Sequence, residues 1–523
     1  VFTPGTLTDS LMLDEKSASY LLSFYPNHTG WGLVFTELLT AQLFATCIPV
    51  NAHRMLEAEL VRFFPDEIIL PDLKNQKSFG TYFKRLGYLV SFSEYPMDRD
   101  SSRSWVENQF DSKTSKILEK QPAIGSTLAL LYFYLKKNQE KSLSQFKNIQ
   151  FYQPEDYLIL DAATQRNLEI VKNSQDGGRK NSLLEIIDKA KTPMGSRTIK
   201  KWLLRPLVQE QKILQRQEVI AVLSKKIDLM QQIEEKLSQI SDLERIIGRI
   251  ALRRAVLQDY LALKNSLKVL PTLRSVLKQN LDFYLTNLIL SKMLDFSFLT
   301  QLLECSLNDN PSFPWIIKKG FDYKLDKLRD LVQNGQQEVL KLEQREIERT
   351  GINSLKIRYN QVTGYYIEVT NPNLHLVPEK YIEQQKLVNR KRFVTQELKD
   401  LERELFKAQN EIEVVQQQVF DHVKKEVEKF LNPLRQLAQA LAYLDALFGF
   451  SVVAYQNGYV APTFNDKRNI FIESGRHPVV EQKLNGGFEA NDTSLNDSES
   501  LWIITGPNMG CLLYTSPSPR DLS

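Results

Sequence analysis

Apolar side chains at Leu398, Leu401, Leu405, Ala408, Ile412, Val415 and Val419 advance in alternating steps of three and four. That spacing lays one stripe along one helix face, the seam of a coiled coil. The helical pattern covers residues 395–431, which at 1.5 Å rise per residue would span roughly 54 Å. Upstream, Leu325, Leu328, Val332, Val339 and Leu342 repeat the spacing more weakly. Between the two stretches, Leu355–Tyr359 and Tyr366–Thr370 flank Thr363-Gly364, a strand–turn–strand pattern. The prediction is a β-rich tip carried on a pair of long antiparallel helices. A purely structural coiled coil is the plain alternative, and the inserted tip counts against it.

Residues 10 to about 140 read differently. Tyr20–Tyr25, Gly32–Phe35 and Glu67–Leu70 are short apolar runs, and Ala52–Phe64 is amphipathic. Such alternation predicts a small α/β domain with a mostly parallel sheet. The polar stretch Asp98–Ser104 reads as an internal loop of this domain. The apolar run Ile124–Leu135 falls short of the roughly 18–20 residues a membrane helix needs and reads as a buried helix. Leu158–Asp161 leads into a helix start, and Asn173–Asn181 is a glycine-containing turn. From Ser182 to about Gln301 the pattern is helical with few breakers, an all-α core.

The length of 523 residues exceeds one ordinary core and predicts three or four domains. Lys+Arg 67 against Asp+Glu 63 leaves a net charge of only +4. Bulk charge therefore does not announce a nucleic-acid binder, and local clusters must carry that argument. One such cluster is Lys386, Asn389, Arg390, Lys391 and Arg392, at the end of the predicted tip. Basic residues gathered there can neutralise phosphates without reading base identity, the alternative being a solvated charged face. The carboxylate-free stretch Lys189–Pro206 and the series Arg245, Arg249, Arg253 and Arg254 read as structural, since those helices also carry core residues. Cys47, Cys305 and Cys511 stand far apart in no metal-ligand spacing, which fits a reduced cytosolic compartment.

Near the C-terminus, Leu501–Thr505 reads as a short buried strand feeding Gly506, Pro507, Asn508, Met509 and Gly510. A strand running into a glycine-containing loop is how a phosphate-binding loop begins. The full motif continues Gly-Lys-Ser/Thr, but Cys511, Leu512 and Leu513 occupy those positions. The lysine for the β/γ-phosphates and the hydroxyl for Mg²⁺ are not there.

Seven phrases, in colinear order over residues 1–510, resemble the MutS family of DNA mismatch-repair proteins, in its mismatch-repair branch. They are Thr3-Pro-Gly-Thr6, Leu160–Ile170, Thr192-Pro-Met-Gly-Ser-Arg197, Asp242-Leu-Glu-Arg245, Tyr359-Asn360 with Gly364-Tyr-Tyr-Ile367, Gly475-Arg-His-Pro478 and Thr505–Gly510. The resemblance implies a multidomain α/β plus all-α chain. Residues 1–9 would be a remnant of the mismatch-recognition domain and 10–142 the α/β connector. Residues 145–335 and 403–465 would form the helical core and levers, and 336–402 the DNA clamp. Residues 466–510 would start an ABC-type P-loop ATPase, with 511–523 a tail foreign to the family.

The resemblance also implies double-stranded DNA, a second copy of the chain and MutL as partners, ATP and Mg²⁺ as cofactors, a cytoplasmic location and no membrane. Phe488 matches the aromatic on which the family stacks adenine, a place in the core being the alternative for it. No catalytic residue or metal ligand is assigned. Without the phosphate lysine and the later ATPase motifs this chain is expected to be inactive towards ATP, and without the Phe-X-Glu motif blind to mismatches. A DNA-binding or scaffolding protein with a coiled-coil lever and no ATPase is the rival reading, and a different ABC-type ATPase a third.

Overall fold

A computed structural model describes residues 3–6, 14–73, 77–94, 100–310, 315–360, 362–484 and 487–503. The chain begins with β1 (Tyr20–Asn27), β2 (Gly30–Glu37), β3 (Gln42–Ile48), α1 (His53–Phe63), β4 (Pro65–Pro71), α2 (Lys77–Arg85) and β5 (Val90–Ser93). Helices α3 (Asp100–Gln109), α4 (Ser112–Lys120) and α5 (Pro122–Asn138) follow, then the short β6 (Gln150–Phe151).

These strands form one sheet in the order β5-β4-β1-β2-β3-β6. It is mostly parallel, as the pattern predicts, with β2 alone reversed: β2 runs antiparallel to both its neighbours, while β1–β4, β4–β5 and β3–β6 are parallel pairs. The reason is connection length. Only residues 28–29 join β1 to β2 and 38–41 join β2 to β3, and a parallel crossover needs about a dozen residues or more. Aromatics fill one face of the sheet, with Phe24, Trp31 and Phe35 packed against Phe63 of α1 and Phe79 and Phe83 of α2. Leu21, Val34 and Ile69 fill the other, against Ile124, Leu128, Leu131 and Leu135 of α5. Gly32 lets α5 close on β2, because a side chain there would strike Thr127 and the Ala123 carbonyl.

Two boundaries read from the sequence move. Residues 100–104 begin α3 instead of a loop, because Trp105 and Val106 one turn later pack on the α5 side of the sheet. Residues Asp98 and Arg99 lie outside the described residues. The unit also runs past residue 142, since Phe146 and Ile149 complete its core and β6 its edge.

The helical part comprises α6 (Ala162–Asn167), α7 (Leu183–Ile187), α8 (Pro193–Leu204), α9 (Glu210–Leu223), α10 (Ile227–Leu237) and α11 (Leu243–Ala251). It continues with α12 (Leu257–Asn280), α13 (Tyr284–Lys292), α14 (Ser297–Ser306), α15 (Tyr323–Thr350), α16 (Gln396–Glu428) and α17 (Leu431–Asn457). Asp161 and Thr192 cap α6 and α8 with their side-chain oxygens, as residues of those types do at helix starts. Among the described residues, α17 alone is long and apolar enough to cross a membrane by composition, yet 72% of its most apolar window is buried inside the protein. It is the central strut of the core, with Leu434, Leu437, Leu441, Leu444 and Phe448 fully enclosed.

Asp445 of α17 is buried too, and it holds the start of α8. Its carboxylate accepts from Lys191 N at 2.9 Å, Thr192 N at 2.7 Å and Thr192 Oγ1 at 2.7 Å. Burial pushes its pKa up to about 6 against the pull of these donors.

The basic stretches of α8 and α11 take structural roles where the sheet unit meets the helices. Arg197 donates to both Asp242 oxygens at 2.7 and 2.8 Å, to Glu244 at 2.7 Å and to the Glu15 carbonyl at 2.7 Å. Arg245 donates to the carbonyls of Asp14 and Ser17 at 2.6 and 2.9 Å. Arg205 lies 3.6 Å over the Phe63 ring and Lys201 4.4 Å over Phe44.

The long helices α15 and α16 pair antiparallel. Arg345 meets Glu397 at one end, and Lys324 meets Glu411 at 2.8 Å towards the other. Leu398, Leu405, Ala408, Ile412 and Val415 are buried along α16, with Leu401 and Val419 half-buried. The stripe continues through Phe420, Val423 and Val427 into the main core. Both helices run unbroken through residues 335–336 and 402–403, and the β-structure inserted between them occupies 356–394.

Gly248 of α11 tests the junction between sheet and helices. A methyl group there would fall on the Leu39 carbonyl oxygen in the loop between β2 and β3. In a free helix Gly→Ala would stabilise by about 1 kcal/mol. Gly248→Ala is instead expected to destabilise by about 1–3 kcal/mol, the usual cost of overpacking, in urea titration of the whole chain. A gain in stability would mean that the loop does not press on α11.

Candidate functional site

At the far end of the helix pair, Gly351 ends α15 in a left-handed cap, its N–H reaching the Ile347 carbonyl. Ile352 and Leu355 then turn into the core of a small sheet. Strands β7 (Lys356–Asn360), β8 (Gly364–Thr370), β9 (Ile382–Lys386) and β10 (Arg390–Val394) lie in the order β7-β8-β10-β9, and all pairs are antiparallel. Ile367, Val369 and Phe393 pack against Leu342 of α15 and Leu398 of α16, fixing that face to the helices. Tyr381 adds a polar tie by donating to Glu346 of α15 at 2.6 Å. Burial, and then the Glu346 carboxylate, raise this phenol above the ordinary tyrosine range.

Strand geometry divides the basic cluster. Residues paired across strands share a face, and successive residues alternate between faces. Arg392 pairs with Glu368 and Arg390 with Thr370, whereas Lys391 pairs with Val369 and Lys386 with Lys391. Arg390 and Arg392 thus stand on the face turned away from the helices, and Lys386 and Lys391 on the opposite one. Asn389 lies in the exposed turn between β9 and β10, its carbonyl accepting from Asn371 N at 3.2 Å.

Two cations that sequence reasoning missed complete the outward face. Lys356 pairs with Glu368 and Arg358 with Tyr366, so both join Arg390 and Arg392. The signal was the alternation Lys356-Ile-Arg358 within a strand one hairpin away. Glu368, buried among them, receives Arg390 at 2.8 Å, with Arg358 at 3.9 Å. Arg392 lies 4.2 Å over the Tyr366 ring and donates to Gln385 at 2.8 Å. On the other face Lys391 is paired with Glu383 at 2.6 Å. The outward face therefore sets four cations around one carboxylate, about 10 Å apart across the intervening strand β8 and about 7 Å apart along β7 and β10. Its two central guanidinium groups are held in place, and such an array can meet a line of phosphates.

The C-terminal part contributes β11 (Ile470–Gly475) and β12 (Asn491–Leu495), an antiparallel pair, with the short α18 (Pro478–Glu481) between them. His477 Nδ1 caps α18 by accepting from Val479 N and Val480 N at 3.3 Å each. Phe488 is half-buried and follows Gly487, whose φ of 88° suits glycine. Leu501, Trp502 and Ile503 do not form the expected buried strand. They are exposed and pair with no strand among the described residues, and an apolar run becomes a strand only when it has a partner. Gly506, Pro507, Asn508, Met509, Gly510 and the 511–523 segment lie outside the described residues. Among the described residues, no group of three or more His, Cys, Asp or Glu side chains is placed to hold a metal.

Two family descriptions match the chain: MutS domain II over residues 19–147 and MutS domain III over residues 163–451. The chain is 36% identical to the DNA mismatch repair protein MutS of Alkaliphilus oremlandii over 97% of its own length and 59% of that protein's. It is 35% identical to that of Caldanaerobacter subterraneus subsp. tengcongensis, with the same two shares, 97% and 59%. To the DNA mismatch repair protein MutS of Methanothrix thermoacetophila it is 34% identical, over 97% of this chain and 58% of that one. It thus spans somewhat under two thirds of the curated relatives it matches.

The division of the sheet into two faces is open to a direct check. Arg392→Ala would uncover Tyr366 and is expected to lower the local stability of the sheet by about 0.5–1 kcal/mol, the worth of an exposed cation–π contact. Lys386→Ala should leave it unchanged. Hydrogen exchange of the β8 and β10 amides reads both, and equal effects would contradict the assignment of faces.

Proposed function

The chain belongs to the MutS family, and from that membership we propose that it serves DNA mismatch repair by gripping the duplex backbone. The observation that carries this reading is the outward face of the β7–β10 sheet. Lys356, Arg358, Arg390 and Arg392 surround the single Glu368 there, at the end of helices rooted in the main core. Long cations spread on an open sheet face meet phosphate oxygens, and such contacts carry no sequence information. The two long helices place this face well away from the core, where it can reach around a rod-shaped ligand.

The finer part of the proposal is nucleotide control. Gly506–Gly510 would cradle the phosphates of ATP with its Mg²⁺, Phe488 would stack the adenine, and a second copy of the chain and MutL would be its partners in the cytoplasm. The sequence phrases shared with the family support it. Among the described residues only Phe488 belongs to that set, so the grip on the duplex is read from charge and shape alone.

Binding of a fluorescent duplex, followed by anisotropy over a range of salt, tests the grip. Replacing Lys356, Arg358, Arg390 and Arg392 together by Ala should weaken binding about equally on every sequence. It should also flatten the slope of log K against log salt by about 0.9 for each phosphate that is no longer neutralised. The pair Lys386→Ala and Lys391→Ala, on the opposite face, should change the slope less. If the fourfold variant keeps both affinity and slope, the face is solvated surface and the proposal fails.

A further inference from the structure

Helices α9 and α13 both pack on α17 and leave a trough of about 1010 Å³ over that helix. Its floor is apolar, with Leu285, Ile289 and Ala440 buried. On the rim, Tyr284 and Leu288 stand one turn apart on α13, 67% and 46% exposed. An apolar strip left open to water beside a groove is the kind of surface on which another chain docks.

The charge around this strip has one sign. Lys212, Arg216 and Lys292 line the trough together with five glutamines, and no Asp or Glu does. The neighbouring helices have few acids to offer. α13 carries none, and the one on α17, Asp445, is spent on the start of α8. Glu210 and Glu218 of α9 do not line the trough.

One of the cations is already posed for a partner. Arg216 lies 3.6 Å over the Trp202 ring, and its Nε donates to the Tyr443 hydroxyl at 2.9 Å. Stacking and that bond fix the plane of the guanidinium. Its two terminal nitrogens make no hydrogen bond among the described residues and are open to solvent. Such a pair suits the two oxygens of a carboxylate. Lys212 stands one turn earlier on α9. Lys292 reaches Gln436 at 3.4 Å, at the other end of the trough from Arg216. From Gln436 to Tyr443 the distance along α17 is roughly 10 Å.

These features select the ligand. Cationic ends roughly 10 Å apart match carboxylates two helical turns apart, and the apolar strip between them matches the apolar side of the same helix. A small anion would meet the cations and leave Tyr284 and Leu288 uncovered, and a nucleic-acid backbone has no apolar side to cover them.

We propose that this trough docks an acidic amphipathic helix of a partner protein, its apolar side on Tyr284, Leu288 and the floor, and its carboxylates on Lys212, Arg216 and Lys292. The site shares no residue with the basic sheet face, so the two readings stand or fall separately.

The probe is a fluorescent synthetic peptide of roughly 15 residues, a length at which a free helix is marginal. It carries leucines at i, i+3, i+4 and i+7 with glutamates flanking them. Anisotropy with the full chain should show saturable binding, and circular dichroism a gain in helix content as the peptide binds. The same peptide with lysine for glutamate should not bind. Arg216→Ala should weaken the acidic peptide by about tenfold or more, and Leu288→Gln, at an exposed position, should weaken it too. Lys212→Glu with Lys292→Glu should abolish that binding and admit the lysine peptide, a rescue that a merely structural role cannot give. If Arg216→Ala does not fold, this charge reversal decides. Absence of saturable binding of the acidic peptide to the unaltered chain would overturn the proposal, as would binding with no gain in helix or binding unchanged by the charge reversal. So would a loss of duplex affinity in the charge-reversed chain as large as that of the fourfold sheet variant, which would give the trough to DNA. A dimer that Leu288→Gln dissolves would give it to a second copy of this chain and overturn the proposal equally.

Discussion

The apolar stripe that runs from Leu398 to Val427 along one unbroken helix is the constraint on which the candidate site depends. At its outer end Leu398 belongs to the core of the small sheet, and at its inner end Val423 and Val427 belong to the main core. The same side chains therefore hold α15 against α16 and fix the orientation of the sheet. Isolated long helices are marginal in water, and burial of one face is what makes them persist. Gly335 shows how close the pair comes, since it leaves the room that Leu405 fills.

Much of this was legible in the residues because it is local. Steps of three and four predict α16, and a Thr-Gly turn between β-rich runs predicts the β7–β8 hairpin. The failures share a different cause. The direction of β2 follows from the short links on either side of it, which only the recognition of Gln42–Ile48 as a strand reveals. The face on which Arg390 or Lys391 stands depends on register, and a period-2 element scatters a run of basic residues that a linear reading gathers together. Lys356 and Arg358 come to Arg390 and Arg392 across a strand, through pairings no single segment encodes.

The cations of this chain are deployed in distinct ways, and near-neutral total charge conceals the difference. Arg197 and Arg245 spend their donors on carboxylates and backbone carbonyls, which makes them part of the framework between sheet and helices. Arg390 and Arg392 are steadied by Glu368 and Tyr366 yet still line an open face. Arg435 is half-buried, with its Nε and Nη2 buried and meeting no acceptor. Partnering, more than position in the sequence, separates the structural arginines from those left to meet something else.

The junction between α16 and α17 is only two residues long, Lys429 and Phe430. It sits at one end of a helix whose other end carries the basic face. At 1.5 Å per residue α16 is about 50 Å long, so a rotation of about 5° at its root would swing the far end by about 4 Å. That displacement approaches the width of one strand in a sheet. A small rotation at this junction would thus be geared up, by rigid length alone, into a change of reach that decides whether the outward cations meet a backbone or miss it.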